Sequence, residues 1–398
     1  MSTPNDKLDA MLTDFEKRTA TDPHHPGQNL RNLLDHSPDL KARFLDSVEH
    51  DHLKRFDVLP ANAHAGGTYN SGTKRMQLPQ DTLDSAATSK SAGAEMVFVM
   101  GHEIQHSFNS TVTVDATKKF IDDVNKNANG PGPHDYTAAI DTLIQTNRRD
   151  EASANIGGFN ALASQALKDN PKATLKDFYN AHPSRMGDFI DRAGTAPNYS
   201  YALKPGLTVD KNMHMAATKD NVEAMGKYYF DKPLAAPNGL GPNGNQNYHN
   251  YYGNWALNYV DAAEKSVQAT HQSDPKYVPP KVEVDLQKIG LDKAQLNTHL
   301  NYTDTSPGKT HPIVESANGP ERNGSPTTQP IKGPFSDPAL DQAYHALQKG
   351  NDAQLDKAAQ AAHNSPDGQR LMQTGNQLLH EQQQNQLTQA PQAPAPTR

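Results

Sequence analysis

Glu95-Met96-Val97-Phe98-Val99-Met100-Gly101-His102-Glu103-Ile104-Gln105-His106-Ser107-Phe108-Asn109-Ser110 sets two histidines four residues apart, with a glutamate directly after the first. On a 3.6-residue period the two imidazoles fall one turn apart on one face, and Glu103 reaches a water held between them. This is the spacing a helix needs to bind zinc and activate a water. Met96, Val97, Val99, Met100, Ile104 and Phe108 recur at mixed three- and four-residue steps, and no charge stands between Glu95 and the motif. The stretch therefore reads as a buried helix. The competing reading is the same helix with its histidines hydrogen-bonded inside the core.

Two histidines do not hold a catalytic zinc, so a third protein ligand is required, with the fourth position left to water. The continuation HExxHxxGxxH fails, because Asn109 and Val112 stand where Gly and the third His belong. Asp115 is a nearby carboxylate, yet Ala116-Thr117-Lys118 after it lend no recognisable support. The better candidate is on the next strong helix, roughly Thr137 to Lys168, within Arg148-Arg149-Asp150-Glu151-Ala152-Ser153-Ala154-Asn155. Glu151 there shares a face with Ile144, Asn155, Gly158, Phe159 and Leu162, an otherwise apolar or small stripe. Burying a lone carboxylate costs several kcal/mol, on the scale of a whole domain's stability, so a cation must meet it. Zinc would satisfy it, and so would Arg148 or Arg149 folding back.

With these residues the chain resembles the gluzincins, the zinc metallopeptidases that include thermolysin and neprilysin, whose third ligand is the Glu of an ExxxD element downstream of HExxH. The resemblance covers about residues 66–167 and implies that His102, His106 and Glu151 are the metal ligands of one Zn2+ per chain, with Glu103 the general base. Asn155 falls at the family's Asp position, which implies that it accepts a hydrogen bond from the far N–H of a ligand histidine. An amide there departs from the pattern, since it accepts the imidazole N–H without supplying charge. The separation of His106 from Glu151 is longer than in thermolysin and closer to the neprilysin type.

Upstream, Gly66 to Leu78 reads as a hairpin of two short strands about a Ser71-Gly72 turn. Such a hairpin is either structural or an exposed edge on which an extended peptide pairs by main-chain hydrogen bonds. Zinc peptidases also need a donor for the tetrahedral oxyanion, usually a Tyr or His from another segment. Asn245-Gln246-Asn247-Tyr248-His249-Asn250-Tyr251-Tyr252-Gly253-Asn254-Trp255 is the strongest source, with Tyr252 favoured and His249, Tyr248 and Tyr251 also plausible. The same rings would equally serve to anchor the next helix into the core. Tyr199 and Tyr201 are weaker candidates.

The 398 residues at 34% hydrophobic suffice for one medium catalytic domain with polar extensions, not for two large cores. No apolar run approaches 18 residues, so no membrane span is expected. The opening Met1-Ser2-Thr3-Pro4-Asn5-Asp6-Lys7 lacks the pattern of a signal peptide. With no cysteine, every metal ligand must be N or O, as suits catalytic rather than structural zinc. The net charge of −7 comes without a basic stripe, which argues against nucleic acid as a partner. A Pro-, Gly-, Ser- and Thr-rich stretch follows, and then a Gln-rich C-terminus with helical patterns and no catalytic residues to offer.

That tail resembles in composition the delivery tails of bacterial type IV-secreted effectors that kill rival bacteria. The resemblance implies synthesis in a bacterial cytoplasm without a signal peptide, export through a secretion-system receptor, and an immunity protein as partner. The sequence thus predicts an α+β, zincin-like fold, mainly helical, with a small mixed sheet before the active-site helix and a small C-terminal helical module. Its divisions are residues 1–304 as a metallopeptidase domain (1–56 a helical N-terminal region), 305–335 as a linker, and 336–398 as an interaction or export tail. The expected activity is hydrolysis of amide bonds in a protein or peptide. Peptidoglycan peptides are an alternative substrate, and a non-catalytic binding protein on the same scaffold is the alternative class.

Overall fold

A computed structural model describes residues 2–59, 66–234, 239–240 and 244–308. The expected C-terminal module and all of the expected linker beyond residue 308 lie outside the described residues. The chain opens with three helices, α1 (Pro4–Arg18), α2 (Pro26–His36) and α3 (Pro38–Glu49). Each begins with proline in its first turn, where a missing N–H costs nothing. Thr3 and Asp6 close a reciprocal capping box on α1. Leu8, Leu12 and Phe15 of α1, Leu30 and Leu34 of α2 and Leu40, Phe44 and Val48 of α3 are all buried, and Phe44 stacks on Phe56 at 5.6 Å.

The strands β1 (Arg55–Val58), β2 (Thr68–Asn70) and β3 (Arg75–Leu78) make a three-stranded mixed sheet in the order β1-β3-β2. β2 and β3 are the antiparallel hairpin expected from the sequence, while β1 pairs in parallel with β3. Arg55 and Phe56, the end of the expected N-terminal helical region, are the start of β1. The sheet leads through α4 (Gln80–Ser85) into α5 (Lys90–Ala128), which carries the HExxH motif. After β4 (His134–Asp135) comes α6 (Thr137–Asp169), within one residue of the expected helix.

Two short helices, α7 (Leu175–Ala181) and α8 (Pro183–Met186), precede an antiparallel ribbon of β5 (Ile190–Thr195) and β6 (Asn198–Leu203). The sequence reads as strand-like from Tyr199 to Met215, whereas the structure has strand only as far as Leu203, and the partner β5 shows no period-2 alternation. The second half reads in sequence as helical over Asn221 to Tyr229 and Asn254 to Ala269, and the structure has α9 (Lys219–Tyr228) and α10 (Tyr248–Thr270) there. α10 starts six residues earlier than expected, at the aromatic cluster, because the Asn247 side chain caps it by accepting from Asn250 N–H at 2.8 Å. β7 (Val282–Val284) joins β4 and β8 (Thr303–Asp304) in a small parallel sheet.

The 39-residue α5 and 33-residue α6 are each long enough to serve two cores. One core gathers α1 to α3, the first sheet, the first half of α5 and the second half of α6. The other gathers the second half of α5, the first half of α6, α10 and β7. The motif lies where the helices pass from one core to the other, and there the two backbones touch. A Cβ on Gly101 would stand 2.6 Å from the Gly157 carbonyl oxygen, and one on Gly157 would stand 2.5 Å from that of Gly101. Only glycine permits this approach, one residue from His102. The described architecture is α+β, with helix predominating and only small sheets. No helix among the described residues is long and apolar enough to cross a membrane.

Candidate metal centre

His102 and His106 sit one turn apart on α5, their ring centroids 4.8 Å apart at 76°. α6 brings Glu151 beside them, with Oε2 3.4 Å from His102 Nε2. The donor atoms of His102, His106 and Glu151 all lie within 4.8 Å of one another. Donors about 2.0–2.2 Å from a tetrahedral zinc are separated by roughly 3.4 Å, so this set fits the ion after a small contraction on one side. Glu151 is 8% exposed, and among the described residues it meets His102 and Tyr252 but no lysine or arginine. Arg148 instead forms a two-pronged pair with Asp231 and bonds Glu223, and Arg149 also turns to Glu223. The arginine alternative for Glu151 is therefore not what the chain adopts.

The orientation of the rings suits a metal. Asp150 Oδ2 bonds His106 Nδ1 at 2.9 Å, which leaves Nε2 for the converging donors. Asp150 is held in turn, since Asn109 Nδ2 donates to its Oδ1 at 2.7 Å. Gln105 donates to Asn109, and Arg43 to Gln105, so the support runs back to α3. Asn155, expected in this supporting role, is elsewhere. One turn further along α6 it is buried against α9, and its amide nitrogen contacts Met225 Sδ at 3.8 Å. The carboxylate that orients His106 comes from the residue before Glu151, not from the fourth after it.

Charge at the site is balanced between burial and pairing. Burial works against a charged His106, but Asp150, Glu151 and Glu103 outweigh it and lift its pKa to about 10. Burial would also raise Glu151, but His102, His106 and Tyr252 hold it below the ordinary carboxylate range. Glu103 goes the other way, its carboxyl pushed up by burial against the pull of His106 and His102. The Tyr69 backbone N–H of β2 lies on the same side and also favours the ionised carboxylate. Gly67, just before β2, makes this approach possible, since a Cβ there would meet Val99 at 2.6 Å and Glu103 at 3.2 Å. β2 is an edge strand of its sheet, so the hairpin's outer edge lies beside the glutamate that follows His102.

The aromatic cluster at the start of α10 divides its work. Tyr252 donates to Glu151 Oε1 at 2.8 Å. Tyr248 shares a 2.5 Å hydroxyl bond with Tyr229, whose ring stands edge-on to His102 at 6.0 Å. Burial first, and then the charge of Glu151, push the Tyr229 phenol well above its ordinary range, so it remains a donor through neutral pH. His249 is tied away from the donors, because its Nε2 bonds Asp231 Oδ1 at 3.0 Å and its ring packs edge-on against Phe230. Tyr199 and Tyr201 lie on β6, where Arg192 packs over Tyr199 and Tyr201 packs on Tyr179.

No protein-family model, curated protein or solved structure matches this chain. The site therefore stands on its own geometry. Two residues in it went unread in the sequence. Asp150 was visible as a second acid beside Glu151, and Tyr229 as the middle of Tyr228-Tyr229-Phe230 closing α9. Among the described residues a second grouping of Asp22, His24 and Asp84 exists. There His24 is exposed and Asp22 already accepts from the His24 backbone and from Gln80.

Proposed function

We propose that this chain is a zinc-dependent hydrolase of amide bonds, with His102, His106 and Glu151 as its metal ligands and Glu103 as its general base. One observation carries the reading: two imidazoles and a carboxylate from two helices converge at one point, and among the described residues no lysine or arginine meets that carboxylate, which faces the two imidazoles instead. A zinc ion held there would supply a Lewis acid that polarises the scissile carbonyl and acidifies a water. Glu103 takes the proton from the attacking water and passes it to the leaving amine. Its raised pKa, set by burial, suits both halves of that transfer. Tyr229, kept protonated and seconded by Tyr248, donates to the oxyanion as charge develops on it. The edge of β2 orients an extended peptide across Glu103.

Asp150 keeps His106 in the tautomer that presents Nε2. The test is turnover of peptide and peptidoglycan substrates by wild type and by Glu103→Gln, with zinc content measured on both. Cleavage by wild type and its loss in a variant that retains zinc are expected. Equal cleavage by the two would remove Glu103 from the mechanism. An export role for the tail, an immunity protein that blocks the cleft and a secretion-system receptor belong to the same proposal and rest on the sequence alone.

A further inference from the structure

Glu151 has its two oxygens in different company. Oε2 faces His102 Nε2 at 3.4 Å, and Oε1 accepts the Tyr252 hydroxyl at 2.8 Å. A carboxylate free on both sides can close on a cation with both oxygens and fill the position a water or substrate needs. We propose that Tyr252 is a positioning residue that holds Glu151 to the metal through Oε2 alone, and so keeps one coordination position open. This rests on the metal-centre reading above and deepens it. It also moves Tyr252 from donating to the oxyanion to setting the geometry of a ligand.

The placement of that phenol is overdetermined. Its ring lies parallel to Phe230 at 5.8 Å and meets Tyr251 edge-on at 5.3 Å. α10 itself is fastened to α6 at two levels one turn apart. Tyr252 reaches Glu151 at one. At the other, three residues earlier on α10, His249 bonds Asp231, and Asp231 takes the paired nitrogens of Arg148, three residues before Glu151. Asp231 stays ionised for this, since His249 and Arg148 overcome the effect of burial and hold its pKa at about 2. At its N-terminal end α10 is locked again, as Asn250 exchanges two hydrogen bonds with the Asp292 backbone at 2.8 and 3.0 Å. Helix α10 can therefore neither slide nor turn without breaking the Arg148–Asp231–His249 chain, and the hydroxyl is delivered to Oε1 by packing.

The experiment compares wild type with Tyr252→Phe, which keeps the ring that stacks on Phe230, and with Tyr259→Phe as a control phenol two turns along α10. Zinc affinity is measured by competition with a chromophoric chelator, and the absorption spectrum is recorded after substitution with cobalt(II). Wild type should give the intense visible bands of four-coordinate cobalt. Tyr252→Phe should bind zinc about 10–100-fold more weakly and show the weaker bands of a higher coordination number. Tyr259→Phe should match wild type in both. Wild-type affinity and spectrum in Tyr252→Phe would overturn the inference while leaving the metal centre standing. So would a five-coordinate spectrum in wild type, a result that does not depend on any variant folding. A wild type that binds no metal would overturn the centre and this role together. Amide cleavage is not part of the readout, so a chain that holds zinc and hydrolyses nothing still decides the question.

Discussion

The same pair of long helices meets buried histidine and carboxylate in two places, and only one of them has the makings of a site. At the far end, His134 of β4 bonds Glu264 of α10 through Nδ1 at 2.6 Å and the Gly130 carbonyl through Nε2 at 3.2 Å, and Tyr136 donates to the same Glu264 oxygen. Both His134 ring nitrogens are used, Glu264 Oε2 is left without a partner, and among the described residues no third metal-ligating side chain joins the pair. In the middle, His106 spends one nitrogen on Asp150 and keeps the other, and His102 and Glu151 point to the same place. Burial of a histidine–carboxylate pair is thus common to both. What separates them is whether one histidine has both nitrogens consumed, as at His134, or two histidines turn nitrogens toward a shared carboxylate, as at His102 and His106.

That contrast can be broken by substitution, and the largest effect should come from Glu103. In Glu103→Gln, zinc should remain while the turnover rate falls about 10²–10⁴-fold, the usual share of general acid–base catalysis, as steady-state rates on a cleaved peptide would show. Glu264→Ala should do the opposite. Removing one partner of a buried pair costs about 3–5 kcal/mol, to be read from denaturant unfolding, while zinc content stays unchanged. Loss of zinc in Glu264→Ala would make the two clusters one system.

Asp150→Ala should weaken zinc binding about 10–100-fold in chelator competition, the range for a lost supporting carboxylate. The pH dependence follows from His106. Its raised pKa means that the proton stabilises the metal-free fold fully below about 6.5 and that this contribution is lost as pH rises through about 10. Zinc must displace that proton, so calorimetry in buffers of different ionisation enthalpy should find about one proton released per ion at neutral pH, and affinity should fall in acid. The smallest effect is expected at Asn155. Asn155→Ala should leave zinc affinity unchanged in the same chelator competition, because its amide touches Met225 and no ligand ring.

The central part of the fold was legible because its signals are local. Apolar steps on a 3.6-residue period gave α5 and α6, and the Ser71-Gly72 turn gave the β2–β3 hairpin. The convergence of His102, His106 and Glu151 was legible in part, since helical spacing pairs the two histidines and Glu151 stands out as an inward carboxylate on an apolar face of the next helix. Long-range pairing was not. The parallel partnership of β1 with β3 and the β4-β7-β8 sheet join segments far apart in sequence, with strands of two to four residues that carry no period of their own. The expectation at Asn155 followed a family spacing. Which face of α6 meets α9 is decided by packing at Met225, and that alone tells Asp150 from Asn155 as the partner of His106. His249 misled similarly, since a histidine among tyrosines reads as a donor until Asp231 is seen to hold it.

The most direct test of the metal centre is zinc content by mass spectrometry on wild type and Glu151→Ala, both purified without chelator or histidine tag. About one zinc per wild-type chain and far less in the variant is the predicted result, since two histidines alone leave the ion a ligand short. A wild type that stays empty after zinc is added back would contradict the account and reduce His102, His106 and Glu151 to a buried polar cluster of the kind already seen at His134.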